Sequence, residues 1–469
     1  MNIVLYATVS VAVFLLAECF LPLSVAAIAG ALFAVHPLHV EAIGGVVGQS
    51  ELLAALLMVP AITIYVRGRN ANALGPGRMA AITVLYALAC LVKEHGIVLP
   101  ALLVAAECTV VADERPLRRR LVGVRPLFLG LFAVALGYLW AHSIASGEGL
   151  TGFQQYAAFS TMRVHSTGRA LTMFGLAPEW LRLFVWPVHL SSEYGPPAYP
   201  VVTGFHVYQL PGMLLIGSIL ALGVAVRRKS PAISFGIWFA VIALLPTSNF
   251  IVPAGILLAE RTLFLPSVGA MIVAATIISL GLRYATTRTR RVTAIAALQG
   301  VLLAGAWRSY QRTKVWKDNT ILFDHAVLDA PGVYRSHYMR GIWKFEQKQM
   351  VEGEREMRAA MSLYQEDPYV YFELGQQYLN AHEYGAAATL FRRSLQCDST
   401  FTIGRGRLAI ALAELNQWPE AQRQALIALS QTTRPAPTIR AVLRLATREI
   451  NRDRAKRSGA KDTIPIPRD

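Results

Sequence analysis

Two imidazoles and a carboxylate fall within six residues, in His36-Pro37-Leu38-His39-Val40-Glu41. Uncharged apolar stretches flank them, residues 23–35 before and 52–66 after. Ionisable groups are costly inside a bilayer and mark functional positions there. Pro37 cannot donate a backbone hydrogen bond and restricts the residue before it, so it predicts a helix end at this point. His36, His39 and Glu41 are then presented at the water boundary. There they could move a proton, in a site that meets both a lipid-linked molecule and a water-borne one. Lys93 and Arg261 are cations at the ends of apolar runs on the same face, and Glu51, Glu94, Glu193 and Glu260 are the remaining carboxylates there.

Each group also has a plainer reading. The neighbours Lys93-Glu94 and Glu260-Arg261 could be structural ion pairs closing a loop. Glu51 suits the positive N-terminal end of a helix as well as it suits a reaction. His142, His165 and His206 read as snorkelling or capping groups, and Trp140, Trp186 and Tyr194 as interfacial aromatics.

The elements that must position these groups are apolar helices. The chain has 469 residues, 54% hydrophobic and 16% charged, where a soluble domain carries about 25% charged. Ten apolar runs are predicted as spans: 2–20, 23–35, 51–66, 79–92, 97–112, 127–145, 207–226, 231–245, 262–282 and 292–307. They make residues 1–309 a polytopic membrane domain, with a long outside loop over 146–206 and a connector over 310–333. The net charge of +16 would suggest nucleic acid on a soluble protein; here loop arginines and lysines that fix topology account for it. One set of loops, from Arg67 to Arg291, carries three times the Lys and Arg of the other set, which has Lys93, Arg163, Arg169, Arg182 and Arg261. The richer set is expected in the cytoplasm. The polar motifs, Met1 and the soluble C-terminal part then lie outside. The four cysteines show no disulfide or metal spacing, and no phosphate loop or nucleophile elbow occurs. Neither metal nor cofactor is expected.

Beyond the connector, Gly341, Gly375 and Ala409 recur at 34 residues, the tetratricopeptide period. Tyr371, Leu374, Gly375, Tyr378, Ala387 and Phe391 fall at the large and small positions of the middle unit. Gly353 and Ala360 serve the first unit, and Leu408, Ala421 and Ala428 the third. Repeats are predicted over 334–367, 368–401 and 402–435, with a capping helix to 452, as an α-solenoid whose concave face would take a protein or peptide. A disordered basic tail is expected over 453–469.

The knot at 36–41 runs on through Val47-Gly48-Gln49-Ser50-Glu51-Leu52-Leu53. Four further stretches follow it in order: Lys93-Glu94-His95-Gly96; Trp186-Pro187-Val188-His189-Leu190-Ser191-Ser192-Glu193-Tyr194; Leu245-Pro246-Thr247-Ser248-Asn249 with Glu260-Arg261 through Pro266-Ser267-Val268-Gly269; and Trp316-Lys317-Asp318. Together they resemble the signatures of the transmembrane and tetratricopeptide-repeat (TMTC-like) protein family, whose members are, or are predicted to be, O-mannosyltransferases. The resemblance implies an all-α protein with a GT-C type membrane domain ahead of the tetratricopeptide-repeat (TPR) solenoid. It implies transfer of a sugar, mannose in the first instance, from a polyprenyl phosphate to a protein hydroxyl on the periplasmic or lumenal face. The lipid-linked sugar would be a substrate, and the partners would be the bilayer, that donor and a protein acceptor.

Such chemistry needs positive charge at the departing phosphate and a base at the acceptor hydroxyl. Arg261 and Lys93 are assigned to the phosphate, with His36 and His39 helping. Glu41 is assigned to orienting the imidazoles or the acceptor, and Glu51, Glu94, Glu193 and Glu260 to support. The family carries an acidic residue in a first outside loop, and this chain is expected to begin at the family's second span, without that loop. The alternative reading is a non-catalytic membrane-anchored adaptor in which the repeats do the work. A transporter would place ionisable groups at mid-span, which these are not.

Overall fold

Every one of the ten apolar runs is helical in the computed structural model, which describes residues 1–146, 165–431 and 437–458. No strand occurs among the described residues; one isolated antiparallel bridge joins Tyr194 to Leu258. The protein is therefore all-α. It divides into two units, Met1–Ala330 and Pro331–Asp469.

In the first unit, α1 (Asn2–Glu18), α2 (Leu23–Val35), α3 (Val40–Gly44), α4 (Gln49–Asn70), α5 (Pro76–Val92) and α6 (Leu99–Thr109) come first. Then follow α7 (Leu117–Gly123), α8 (Arg125–Ser146), α9 (Ser166–Val185), α10 (Leu210–Ala225), α11 (Pro231–Leu244), α12 (Phe264–Tyr284), α13 (Arg288–Thr313) and α14 (Asn319–Asp329). Among the described residues, five helical stretches are long and apolar enough to cross a membrane: Val46–Asn70, Arg125–Ala145, Val207–Ala225, Glu260–Tyr284 and Arg288–Trp316. Leu23–Val35 with Pro37–Gly44, bent by 49°, would make a sixth. Shorter apolar helices such as α1 and α5 fall below the ~20 residues that a straight crossing needs. Arg163 lies outside the described residues, and α9 occupies much of the segment read as an outside loop.

Local sequence accounts for the breaks. Pro37 follows His36, whose backbone is extended at φ −72° and ψ 121°, so α2 stops at Val35. Pro76 and Pro231 open their helices, where a missing N–H costs nothing. Small residues let helices touch. A Cβ on Gly236 would lie 2.6 Å from the Gly269 carbonyl oxygen, so α11 and α12 meet backbone to backbone. Gly269→Leu is therefore expected to push this pair apart at a cost of ~1–3 kcal/mol. Thermal unfolding in detergent measures it, against Gly281→Leu, where an added Cβ meets nothing within 4 Å; equal midpoints would refute the packing argument.

The run over 97–112 carries one carboxylate, Glu107, and it is fully buried. Arg69 grips it through Nη2 at 2.7 Å and Nε at 3.1 Å, the Tyr65 hydroxyl donates at 2.8 Å and Arg120 Nε at 2.9 Å. Arg69 also reaches Asp113 at 2.9 Å, and Arg67 pairs with Glu18 at 2.8 Å. Beside Asp113, Arg115 holds that carboxyl well below the usual carboxylate range. These arginines, read in the sequence as topology-setting loop charges, also tie α1, α4 and the α6–α7 segment together.

The second unit is built of helix pairs: α15 (Tyr334–Glu346) with α16 (Met350–Leu363), α17 (Pro368–Asn380) with α18 (Tyr384–Cys397), and α19 (Thr402–Glu414) with α20 (Trp418–Ser430). The turn inside each pair is the same turn. Lys348, His382 and Asn416 all have φ near +60° (61°, 62° and 58°), at a spacing of 34 residues. At each, the next residue's N–H bonds back to a carbonyl five residues earlier, as when Glu383 donates to Tyr378, a left-handed helix ending. Gly353 lies against Phe345 and Gly375 against Phe391, so the small residues of the period admit aromatic rings. A last helix, α21 (Pro437–Ser458), packs on α20 and runs past residue 452; the rest of the tail lies outside the described residues.

Candidate functional site

The residues singled out in the sequence come to rest in two groups. The first centres on the short turn Glu260–Leu263 that leads into α12. Arg261 forms an ion pair through Nη1 with Glu41, and its backbone N–H donates to the other Glu41 oxygen at 2.9 Å. Glu41 is buried in the first turn of α3, while a quarter of the Arg261 side chain is exposed. Arg261 is thus a fixed cation whose base is held and whose edge meets solvent.

Glu260 points the other way and is fully buried. Its Oε1 accepts from the Ser191 N–H at 2.6 Å and the Tyr194 hydroxyl at 2.8 Å. Burial and the Glu260 carboxylate push the Tyr194 phenol well above its ordinary range. Arg312 Nη2 lies 4.0 Å from Glu260 Oε1, and Arg312 Nη1 donates to Asp329 at 2.6 Å. Glu260 Oε2 and Arg312 Nε and Nη2 are buried without a hydrogen-bond partner.

His36 and His39 are buried and fully engaged. His36 Nε2 donates to the Phe184 carbonyl at 3.0 Å, while its Nδ1 accepts from the Leu38 N–H at 3.3 Å. His39 Nε2 lies 2.8 Å from the Ser267 hydroxyl, and its Nδ1 lies 2.9 Å from the Tyr6 hydroxyl and 3.0 Å from the Phe33 carbonyl. Both rings brace the knot against α1, α9 and α12.

The second group joins Lys93 to Glu51. Lys93 Nζ lies 2.8 Å from Glu51 in the first turn of α4, and His95 Nδ1 lies 3.3 Å from the other Glu51 oxygen. Neither adjacent pair read from the sequence closes on itself: Lys93 goes to Glu51, not Glu94, and Arg261 to Glu41, not Glu260. Glu94 is exposed, and Glu193 is half-buried in a turn closed by the Ser191 side chain.

The glycines and the asparagine of the motifs shape this frame. Gly48 packs against the Ala42 backbone, and a Cβ on Gly96 would lie 2.6 Å from the Ala89 carbonyl carbon. Trp316 lies on Gly44 and Gly45, where a Cβ on Gly44 would come within 2.7 Å of it. Asn249 sits at φ 57° and clasps its loop, with Nδ2 donating to the Ile256 carbonyl and Oδ1 accepting from Ala254, while Arg169 donates to its carbonyl. Asn249→Ala is expected to cost ~1–3 kcal/mol, read as a lowered unfolding midpoint; no change would sink this role.

Sequence reasoning missed Arg312 and Asp329. Arg312 lies among polar residues read as a connector, and its only signal was its place four residues before Trp316.

No family model matches the chain. Protein O-mannosyl-transferase F38B6.6 of Caenorhabditis elegans is 25% identical over 319 residues, covering 67% of this chain and 42% of that protein. Protein O-mannosyl-transferase TMTC3 of Mus musculus is 27% identical over 353 residues (70% and 38%). Protein O-mannosyl-transferase TMTC4 of Homo sapiens is 28% identical over 343 residues (67% and 46%). The chain spans about two fifths of the length of the curated relatives it matches. In these likenesses, and in the motifs that frame the Glu41–Arg261 pair, the chain is similar to the curated TMTC O-mannosyl-transferases.

Proposed function

We propose that the chain is a membrane O-mannosyltransferase of GT-C type, moving mannose from a polyprenyl phosphate to a protein hydroxyl on the periplasmic or lumenal face. The names of its relatives support the reaction class. The observation that carries the reading is Arg261: a part-exposed guanidinium, anchored by buried Glu41, one turn ahead of an apolar helix long enough to cross a bilayer. The N-terminal end of α12 adds its positive dipole end, so the place favours an anion. In the reaction the acceptor hydroxyl oxygen attacks the anomeric carbon, the bond from that carbon to the phosphate oxygen breaks, the hydroxyl proton passes to the departing phosphate, and Arg261 balances the charge left there. Lys93 is a second cation for the same lipid headgroup. Glu41 serves this site as the anchor of Arg261, and the two histidines as its braces. The 34-residue helix pairs, read as tetratricopeptide repeats, present the acceptor.

Membranes holding the full chain, given polyprenyl-phosphate [¹⁴C]mannose and an acceptor protein, are expected to label the acceptor. Labelling equal to that of membranes without the chain would refute the assignment. The second reading, a membrane-anchored adaptor, is favoured by the engagement of every knot residue in structural contacts. It predicts acceptor binding by the second unit with no label transferred.

A further inference from the structure

We propose that Arg312 is a positioning residue for Arg261, acting through Glu260, and that Asp329 holds Arg312 in place. This rests on the reading of Arg261 as the anion-binding group.

Glu41 and Glu260 are both buried, and they approach the same stretch of chain from two sides. Two guanidiniums serve them. Arg261 is next to Glu260 in sequence, yet it bonds to Glu41. What frees it to do so is a second positive charge on the far side of Glu260. Arg312 supplies that charge: its side chain is 2% exposed and its Nη2 stands 4.0 Å from Glu260 Oε1. Without it, Glu260 would be a buried carboxylate with one unpartnered oxygen, next in sequence to the Arg261 cation. An uncompensated buried charge is costly, so Arg261 would turn inward and leave the exposed edge. The same Arg312 is fastened by a 2.6 Å bond to Asp329, the last residue of α14, which is part-exposed. The presentation of Arg261 is thereby tied to the end of the first unit.

The reactivity of Arg261 tests this in the full chain in nanodiscs. Phenylglyoxal modifies exposed guanidiniums, and peptide mass mapping reads its rate at Arg261. Arg312→Gln is expected to slow modification of Arg261 by about tenfold, as expected when one strong charged contact replaces another. Glu260→Gln/Arg312→Gln removes the competing anion with the cation and is expected to restore the parent rate within about threefold, an effect that loss of structure alone would not give. Arg312→Lys, which keeps the charge, is expected to fall between the two, and Asp329→Asn to slow modification less than Arg312→Gln does. An unchanged rate in Arg312→Gln, or a double variant no faster than the single one, overturns the proposal. Protection of parent Arg261 by added decaprenyl monophosphate is scored separately: its absence counts against the donor-lipid reading, and the comparison among variants still decides the role of Arg312.

Discussion

Arg261→Ala is expected to lower mannosyl transfer by at least ~10²-fold while the protein still inserts. Loss of one preorganised charge partner at a developing anion costs about 10²–10³ in rate. Arg261 is the part-exposed cation of its group, because Arg312 is buried behind Glu260. The same change leaves Glu41 buried without its partner, and breaking a buried pair costs ~3–5 kcal/mol. The assay is therefore scaled to the monodisperse fraction recovered in detergent. Glu41→Gln separates the two effects, since its amide oxygen still accepts from the Arg261 N–H while the charge is gone. It is expected to lose less stability than Arg261→Ala yet still lose most transfer, because the guanidinium is no longer held. Transfer within threefold of the parent in both variants would remove Arg261 from the mechanism.

Glu107→Ala is expected to be the most damaging change away from that site. Three side chains converge on a carboxylate with no exposure, and its removal leaves Arg69, itself only 8% exposed, held by Asp113 beside Arg120 with its bidentate partner gone. The expected loss is ~3–5 kcal/mol, seen as a fall in unfolding midpoint and recovery. Replacing both partners, Glu107→Leu with Arg69→Met, is expected to recover much of it, since a well-packed apolar pair often matches a buried ion pair. A loss below ~1 kcal/mol in the single variant would show that the network is solvated.

The helices were legible because their signals are local. Apolar runs, Pro37 after His36 and the 34-residue spacing each act within a few turns, and the structure puts helices, a break and three like turns where they stand. The presence of a polar site was legible too, because imidazoles and carboxylates between apolar runs need a reason. The pairings were not. Lys93 and Glu51, or Arg261 and Glu41, are chosen by packing between distant segments, whereas adjacency in the chain suggests only the pairs Lys93–Glu94 and Glu260–Arg261. His36 and His39 look in the sequence like reactive groups, and their contacts with Phe184 and Ser267 come from distant segments that the local sequence does not announce. Arg312 gave no signal beyond its place four residues before Trp316, since one arginine among many in a polar stretch stands out only once it is seen to be buried.

The Glu41–Arg261 contact spans 220 residues, and this has a consequence for biosynthesis. Glu41 leaves the ribosome long before Arg261 does; at ~5–20 residues per second it waits on the order of tens of seconds. During that interval its carboxylate lacks this partner, so the hinge after α2 settles late. A nascent chain arrested before Arg261 would hold its first helices inserted with that hinge still open to quality-control proteases.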